Sequence, residues 1–306
     1  MSSQPVEDID SQIDPEDFLS DSLQTLYDYA PITHSSAGSL FRYTPRPPSE
    51  SAPHSHPPST AGSAADASVV TLVTPTTQAS NWALHASSIW TSAIFVADHI
   101  QSLRLDAHVA GARARGGAPL RMLELGAGAG LPSIVVAKMH EDVRVTASDY
   151  PDEALIRALR ENVRRNGVEG RCRVVPYAWG SDAAVFHEPA AGTSAGEDSI
   201  GFDVVLAADT LWNPDLHSLF LRTLQLTLRR TLDARIHLVA GLHTGRYTLQ
   251  AFMRMLEEYG FEMEEAVERE ASGEQCRAWD ISRAEGEEEK ERRRWVVDMR
   301  IKWKNV

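Results

Sequence analysis

The stretch Leu123-Glu124-Leu125-Gly126-Ala127-Gly128-Ala129-Gly130-Leu131-Pro132 carries the strongest local signal in this chain. Residues 121–125 form a short apolar run that reads as a strand, three alternating glycines turn the backbone, and residues 131–140 read as a helix. Glycine permits a tight turn and close approach to a ligand, and a helix opening directs unpaired N–H groups into the same crevice. Residues 143–148 read as a second strand. Asp149 closes it, about twenty residues after the last glycine, where a carboxylate can accept hydrogen bonds from ribose hydroxyls.

Two cofactor classes share this outline. A dinucleotide fold asks for G-x-G-x-x-G, and its third glycine position is Leu131 here. The chain instead places Glu124 two residues ahead of the first glycine and continues as G-x-G-x-G. A carboxylate at that strand end repels a pyrophosphate and suits the cationic methionine end of S-adenosylmethionine. A turn that serves strand–helix packing alone is the third reading, and the pairing with Asp149 weighs against it. Farther on, Trp179 follows the third strand in Tyr177-Ala178-Trp179-Gly180. There it can flank a flat base for about 1 kcal/mol, although a lone Trp is also a frequent core residue.

Outward from this turn, strands and helices alternate. Strands are expected at 171–179, 202–208 and 235–241, and helices at 151–166, 216–228 and 247–260, the last stopped by Gly260. The 151–166 helix has acids in its first turn and arginines toward its end, matching the helix dipole. Such alternation implies a parallel sheet with helices on both faces. The final strands, 261–270 and 293–303, have only the acidic, polar stretch 271–292 between them, so they are expected to pair antiparallel at one edge.

Ahead of the turn, residues 67–74 read as a strand, 81–103 as a helix and 111–119 as a loop. Residues 1–66 are acidic at first and then rich in Pro, Ser, His and Ala, and bury too little apolar surface to offset their conformational entropy. They are expected to form a largely disordered extension, with 67–306 as the folded domain. Residues 17–29 are the exception, apolar enough for a short docking helix; His54 and His56 read as solvated.

The net charge of −13 argues against a broad grip on nucleic acid and favours a basic partner or simple solubility. The two cysteines, Cys172 and Cys276, lie far apart in no ligand-like spacing, so neither a disulfide framework nor a metal site is expected. No run reaches the roughly 20 apolar residues needed to span a bilayer, and the N-terminus lacks a basic segment followed by an apolar one. A soluble, cytoplasmic, monomeric protein without membrane contact is expected.

With SSIWTSAIF, LELGAGAGLPS, ASDYPD, YAWG, FDVVLAADTLW and LHTGR in view, the chain resembles the seven-β-strand protein methyltransferases of family 16. It is most similar to the fungal group labelled nicotinamide N-methyltransferase, whose better-supported role is methylating the N-terminal region of elongation factor 1-alpha. The resemblance runs from about residue 67 to residue 303. It implies a class I, Rossmann-like α/β fold with a seven-stranded, mostly parallel sheet and an antiparallel edge hairpin. It also implies S-adenosylmethionine as cofactor and a protein amine as substrate. Residue by residue, Trp90 matches a Trp bordering the cofactor, and Gly126, Ala127 and Gly128 match the backbone cradle. Asp149 matches the ribose-binding acid, Trp179 the Trp beside adenine, and Ala208 the small residue under the cofactor. Asp209 through Trp212 matches an acid-x-x-aromatic motif lining the methyl-transfer channel. Many relatives have Tyr or Phe where this chain has Trp212, and the bulkier ring reshapes that channel.

Methyl transfer to nitrogen needs a neutral amine, which an α-amine of pKa about 7.7–8.0 supplies in part at neutral pH and a lysine near 10.4 does not. Asp209 and Trp212 are the candidates to orient it, by hydrogen bond and by cation–π contact; Asp209 is equally a plausible helix cap. His243, Thr244 and Arg246 follow the fifth strand on the same side, as substrate contacts or as solvated loop residues. The run 285–291 with Arg292–Arg294 reads as an exposed connection. Competing readings are a small-molecule N-methyltransferase, for example on nicotinamide, a cofactor-binding protein without catalysis, and an oxidoreductase weakened by Leu131. Nucleic-acid methylation is disfavoured because the fourth strand ends in DTLW, not in an Asn/Asp-Pro-Pro-aromatic motif.

Overall fold

Around the glycine turn the sheet is parallel and buried on both faces, as β-branched and leucine-rich runs between helices require. The computed structural model describes residues 30–45, 69–77, 79–114, 116, 119–186, 201–273 and 275–306. Outside the main sheet, β1 (Leu40–Tyr43) pairs antiparallel with β2 (Val70–Val73). Then come α1 (Thr91–Asp98), α2 (Leu105–Ala114), β3 (Leu120–Leu125), α3 (Leu131–Met139), β4 (Val143–Asp149), α4 (Glu153–Arg165) and β5 (Cys172–Pro176). The second half runs β6 (Val204–Ala208), α5 (His217–Thr227), β7 (Arg235–Gly241), α6 (Arg246–Met255), β8 (Phe261–Glu270), β9 (Cys276–Ala278), α7 (Glu289–Arg292) and β10 (Trp295–Trp303).

The main sheet has the order β5-β4-β3-β6-β7-β10-β8-β9. β3 to β7 are parallel; β10 enters antiparallel between β7 and β8. This is the arrangement the resemblance implies, with eight strands where seven were expected. The additional strand is β9, three residues antiparallel to Val267–Arg269 of β8, within a stretch read as plain connection. The chain leaves β3 toward β4 on one side and returns to β6 on the other, so strand order reverses between β3 and β6. Ligands of open α/β sheets bind beyond the strand ends at such a reversal.

Apolar side chains pack both faces. One face joins Phe95 of α1, Ile134 of α3 and Leu159 of α4; the other joins Phe220 of α5 with Leu249 and Phe252 of α6. Local signals set the helix starts. Asp152 caps α4 by accepting from Ala154 N (2.9 Å) and Leu155 N (3.0 Å). Gly130 precedes α3 in the left-handed region (φ 88°), where a Cβ would sit 2.6 Å from Leu159 Cδ1, so this glycine sets how closely α3 and α4 pack.

The expectation that structure starts near residue 67 is corrected by residues 30–45. β1 pairs with one edge of β2, and Asn162 of α4 with Asn166 just past its end serve the other edge as a surrogate strand. Asn162 bonds Val73 N (2.8 Å) and O (2.9 Å), and Asn166 bonds Thr71 N (3.0 Å) and O (2.8 Å). Upstream of β1, Thr91 N donates to Ile32 O (3.0 Å) and His34 N to Ile89 O (2.8 Å), which ties this segment to both neighbours of Trp90. The helix expected at 81–103 is divided into two 3-10 turns around α1, and the loop expected at 111–119 begins inside α2. The element expected at 17–29, His54 and His56 lie outside the described residues. Among the described residues, no helix is long and apolar enough to cross a membrane and no group of side chains is arranged to hold a metal.

Candidate active site

Gly126 (φ 70°) and Gly128 (φ 54°) adopt the left-handed backbone that other residues resist. A Cβ on Gly126 would come within 2.8 Å of Thr210 Cγ2, whereas the Cβ direction of Gly128 opens into space, Ala86 O at 4.0 Å being the nearest atom. The turn is fastened to the end of β4: Gly128 N donates to Asp149 Oδ2 (2.6 Å) and Tyr150 N to Oδ1 (2.7 Å). Burial nonetheless pushes the Asp149 carboxyl up to about 6, the two backbone N–H groups pulling the other way. Glu124, 1% exposed, accepts from Ser133 N (2.9 Å) and from the Ser133 hydroxyl at the opening of α3. Burial raises it to about 8.

These groups line a cavity of about 480 Å³ beneath the 81–90 loop. Its charged side chains are Glu124, Asp149 and Asp209; among the described lining residues there is no lysine or arginine. Three acidic side chains with no lysine or arginine beside them oppose a pyrophosphate, and a cationic ligand favours their ionised forms. A sulfonium cofactor with ribose hydroxyls fits this donor set, and the open space at Gly128 admits it against the backbone. Trp179 borders the cradle, edge-on to Phe220 (4.8 Å between ring centres, 65°).

Ala208 and Asp209 bound the opposite end, past β6. Asp209 is itself left-handed (φ 53°). Its Oδ1 accepts from Gly241 N (2.6 Å), while Oδ2 is buried with no hydrogen-bond partner. Asp209 caps no helix; Asn213 does so, accepting from Asp215 N (3.0 Å). Around this carboxylate stand four rings. Trp212 meets His85 edge-on (4.9 Å, 89°), Trp90 meets His85 edge-on (6.1 Å, 88°), and Trp90 stacks on His243 (5.4 Å, 17°). The indole of Trp90 also donates to the His85 carbonyl (2.8 Å).

All ten residues expected at the site, Trp90, Glu124, Gly126, Ala127, Gly128, Asp149, Trp179, Ala208, Asp209 and Trp212, line this one cavity. Arg246 does not. It is 2% exposed and held by Glu268 and Glu287, neither a substrate contact nor a solvated loop residue. Glu287 likewise leaves the exposed connection expected at 285–291. Sequence reading missed His85, whose role depends on a left-handed backbone (φ 52°) and on rings distant in sequence.

A family model described as lysine methyltransferase matches residues 76–259, from just after β2 to just before β8, a span that contains all ten cavity residues. The chain belongs to this family. The protein N-terminal and lysine N-methyltransferase efm7 of Schizosaccharomyces pombe is 29% identical over 188 residues, covering 60% of this chain and 68% of the relative. The protein of the same name from Gibberella zeae is 32% identical over 160 residues, covering 48% and 59%. That of Emericella nidulans is 36% identical over 120 residues, covering 37% and 44%. The matches to the latter two thus span about half the length of each relative.

Proposed function

We propose that this chain is an S-adenosylmethionine-dependent N-methyltransferase that acts on a protein amine, an N-terminal amine or a lysine, with elongation factor 1-alpha as its substrate. The observation that carries the reading is the buried, unpartnered Oδ2 of Asp209, at the ring-lined end of a cavity whose other end is a glycine cradle with carboxylates. A buried acceptor without a donor is costly, and an incoming N–H supplies the donor. The cofactor, when bound, supplies a methyl group on a sulfonium.

Gly126 and Gly128 would let the backbone approach the cofactor, Asp149 would accept from its ribose hydroxyls, and Trp179 would flank its base. Glu124, next to the opening of α3 and raised to about 8 by burial, would ionise as the cationic end arrives beside it. At the other end Asp209 accepts an N–H of the substrate amine and so points the nitrogen lone pair toward the methyl. Trp90 and Trp212 offer ring faces to ammonium forms, worth about 0.5–2 kcal/mol according to desolvation. Holding both partners in line is the main contribution, up to roughly 7–11 kcal/mol in favourable cases. Elongation factor 1-alpha rests on the sequence resemblance, and the protein amine on the names of the relatives as well.

Incubating the purified chain with methyl-labelled cofactor and elongation factor 1-alpha, with and without N-terminal acetylation, tests this. Label on the protein is expected, lost in Asp209→Ala while cofactor affinity is kept. Unchanged turnover in Asp209→Ala removes the assigned role. Label confined to small molecules in a lysate favours the small-molecule enzyme, and tight cofactor binding without transfer favours a binding protein.

A further inference from the structure

Asp209 and His243 follow the ends of neighbouring strands, β6 and β7, with Gly241 between them. The Gly241 backbone (φ −65°) is open to any residue, so the missing side chain serves space. A Cβ there would overlap the His243 ring and come within 3.1 Å of Asp209 Oδ1. Glycine thus allows an imidazole to lie against the carboxylate whose other oxygen is buried and unpartnered. The same imidazole stacks on Trp90. His243 is not part of the cavity wall; it stands one ring behind it, stacked on Trp90 and near enough to Asp209 for their charges to interact.

We propose that His243 is a positioning residue for the methyl transfer inferred above: as neutral imidazole it leaves Asp209 Oδ2 to the incoming amine, and as imidazolium it takes that oxygen for itself. This role rests on the proposed reaction. The charged and titratable groups facing the ring are Asp209 from the end of β6, Arg293 just past α7, and His85 across Trp90. Arg293 is itself held by Glu289 (3.0 Å). Burial drives the ring toward the neutral form, Asp209 opposes this, and Arg293 adds to it. At neutral pH Oδ2 is therefore left to the substrate, Oδ1 staying with Gly241 N. Acidification protonates the substrate amine first and then, below the ordinary imidazole range, engages Oδ2 as a second cause of lost rate.

Two measurements test the assignment. The first is an NMR titration of the His243 imidazole in the full chain, with neither cofactor nor substrate present. Asp209→Asn is expected to move its midpoint down by about one pH unit or more; an unmoved midpoint overturns the contact. The second is the pH profile of single-turnover methyl transfer to a peptide amine. The wild-type acid limb is expected to steepen to a slope of about two below the imidazole midpoint. His243→Phe keeps a ring on Trp90, and its limb is expected to keep a slope of about one, with cofactor Kd within about twofold. A slope of two in His243→Phe overturns the proposal. So does a cofactor Kd weakened more than tenfold, which shows the ring merely supporting Trp90. If the wild type transfers methyl to no amine, the reaction reading fails and the role fails with it, whereas a changed slope is diagnostic of His243 alone.

Discussion

Two of the places where the molecule buries carboxyl groups treat them in opposite ways. At the ends of β3, β4 and β6, Glu124, Asp149 and Asp209 line a cavity with no lysine or arginine among its described lining residues. On the antiparallel side, Glu268 of β8 is 0% exposed yet surrounded by arginines. Arg246 bonds it through two nitrogens (2.5 and 2.8 Å), Arg277 at 2.6 Å and Arg283 at 2.9 Å. Arg246 also reaches Glu287 (2.7 and 2.8 Å). Desolvation raises carboxyl pKa values in both places. At Glu268 the hydrogen bonds of Arg246 and Arg277 outweigh it and hold the group below the usual range; at Glu124 and Asp149 nothing outweighs it. A buried acid supplied with its own cations is architecture. A buried acid without one marks a place where the cation arrives from outside.

The comparison is broken or kept first by paired substitutions. Glu268→Gln strands Arg246 in the interior with one fewer anionic partner, and breaking a buried pair from one side costs about 3–5 kcal/mol. Urea unfolding at pH 7 should show a loss of that size, or a chain that no longer accumulates. Glu124→Gln resembles the protonated form that burial already favours, so stability at pH 7 should change by less than about 1 kcal/mol, while cofactor affinity falls at least about tenfold. Equal destabilisation of the two variants would erase the distinction.

Next in size is pH. A carboxyl whose pKa is higher folded than unfolded adds stability while protonated and loses it as pH rises through the folded value. For Asp149, from 3.8 to about 6, that is about 3 kcal/mol lost progressively between pH 4 and 6. Glu124 continues the loss toward pH 8. Glu268, lowered, has the opposite sign, its contribution vanishing only as pH falls below the ordinary carboxylate range. Below about pH 6.5 the buried His34, His237 and His243, all lowered by burial, gain stability as pH rises and oppose this loss. Thermal melts of the free chain should therefore decline from about pH 6.5 to 8, where Glu124 alone of these groups still titrates, and saturating cofactor should flatten the decline. A melt that is flat over that range without cofactor contradicts the unpaired burial of Glu124.

Asp149→Asn should then cost about 10- to 100-fold in cofactor affinity by calorimetry, one charge-assisted hydrogen bond being worth about 1.5–3 kcal/mol. It should also remove the pH dependence of binding near 6.

What sequence reading found follows the same division. The cradle and Asp149 were legible because a glycine turn, a helix opening and a strand end are local, and their chemistry follows from spacing. Glu268 lay unnoticed in a charged strand, and its arginines in a stretch taken for loop, because only tertiary contact brings residues 246, 268, 277, 283 and 287 together. β9 escaped for the same reason, and β1 because its partner edges are a distant strand whose far side is served by Asn162 and Asn166. At the site itself, motif and resemblance located Asp209 and Trp212. The ring of His85, the space left by Gly241 and the missing partner of Oδ2 required the fold.

The smallest expected effect tests whether the cavity has two separable ends. Trp212 reaches His85 edge-on, but Trp90 is held by the His85 carbonyl, a backbone group that does not depend on the Trp212 ring. Trp212→Tyr, the residue many relatives carry, should therefore leave Trp90 and the cradle in place. It should change only the face offered to the amine, for a change of about 0.5–1 kcal/mol, or roughly two- to fivefold in KM for the protein substrate. Cofactor Kd by calorimetry should stay within twofold. A cofactor effect as large as that of Asp149→Asn would mean that the rings and the carboxylate cradle form one binding surface. The unpartnered oxygen of Asp209 would then belong to the cofactor rather than to the substrate amine.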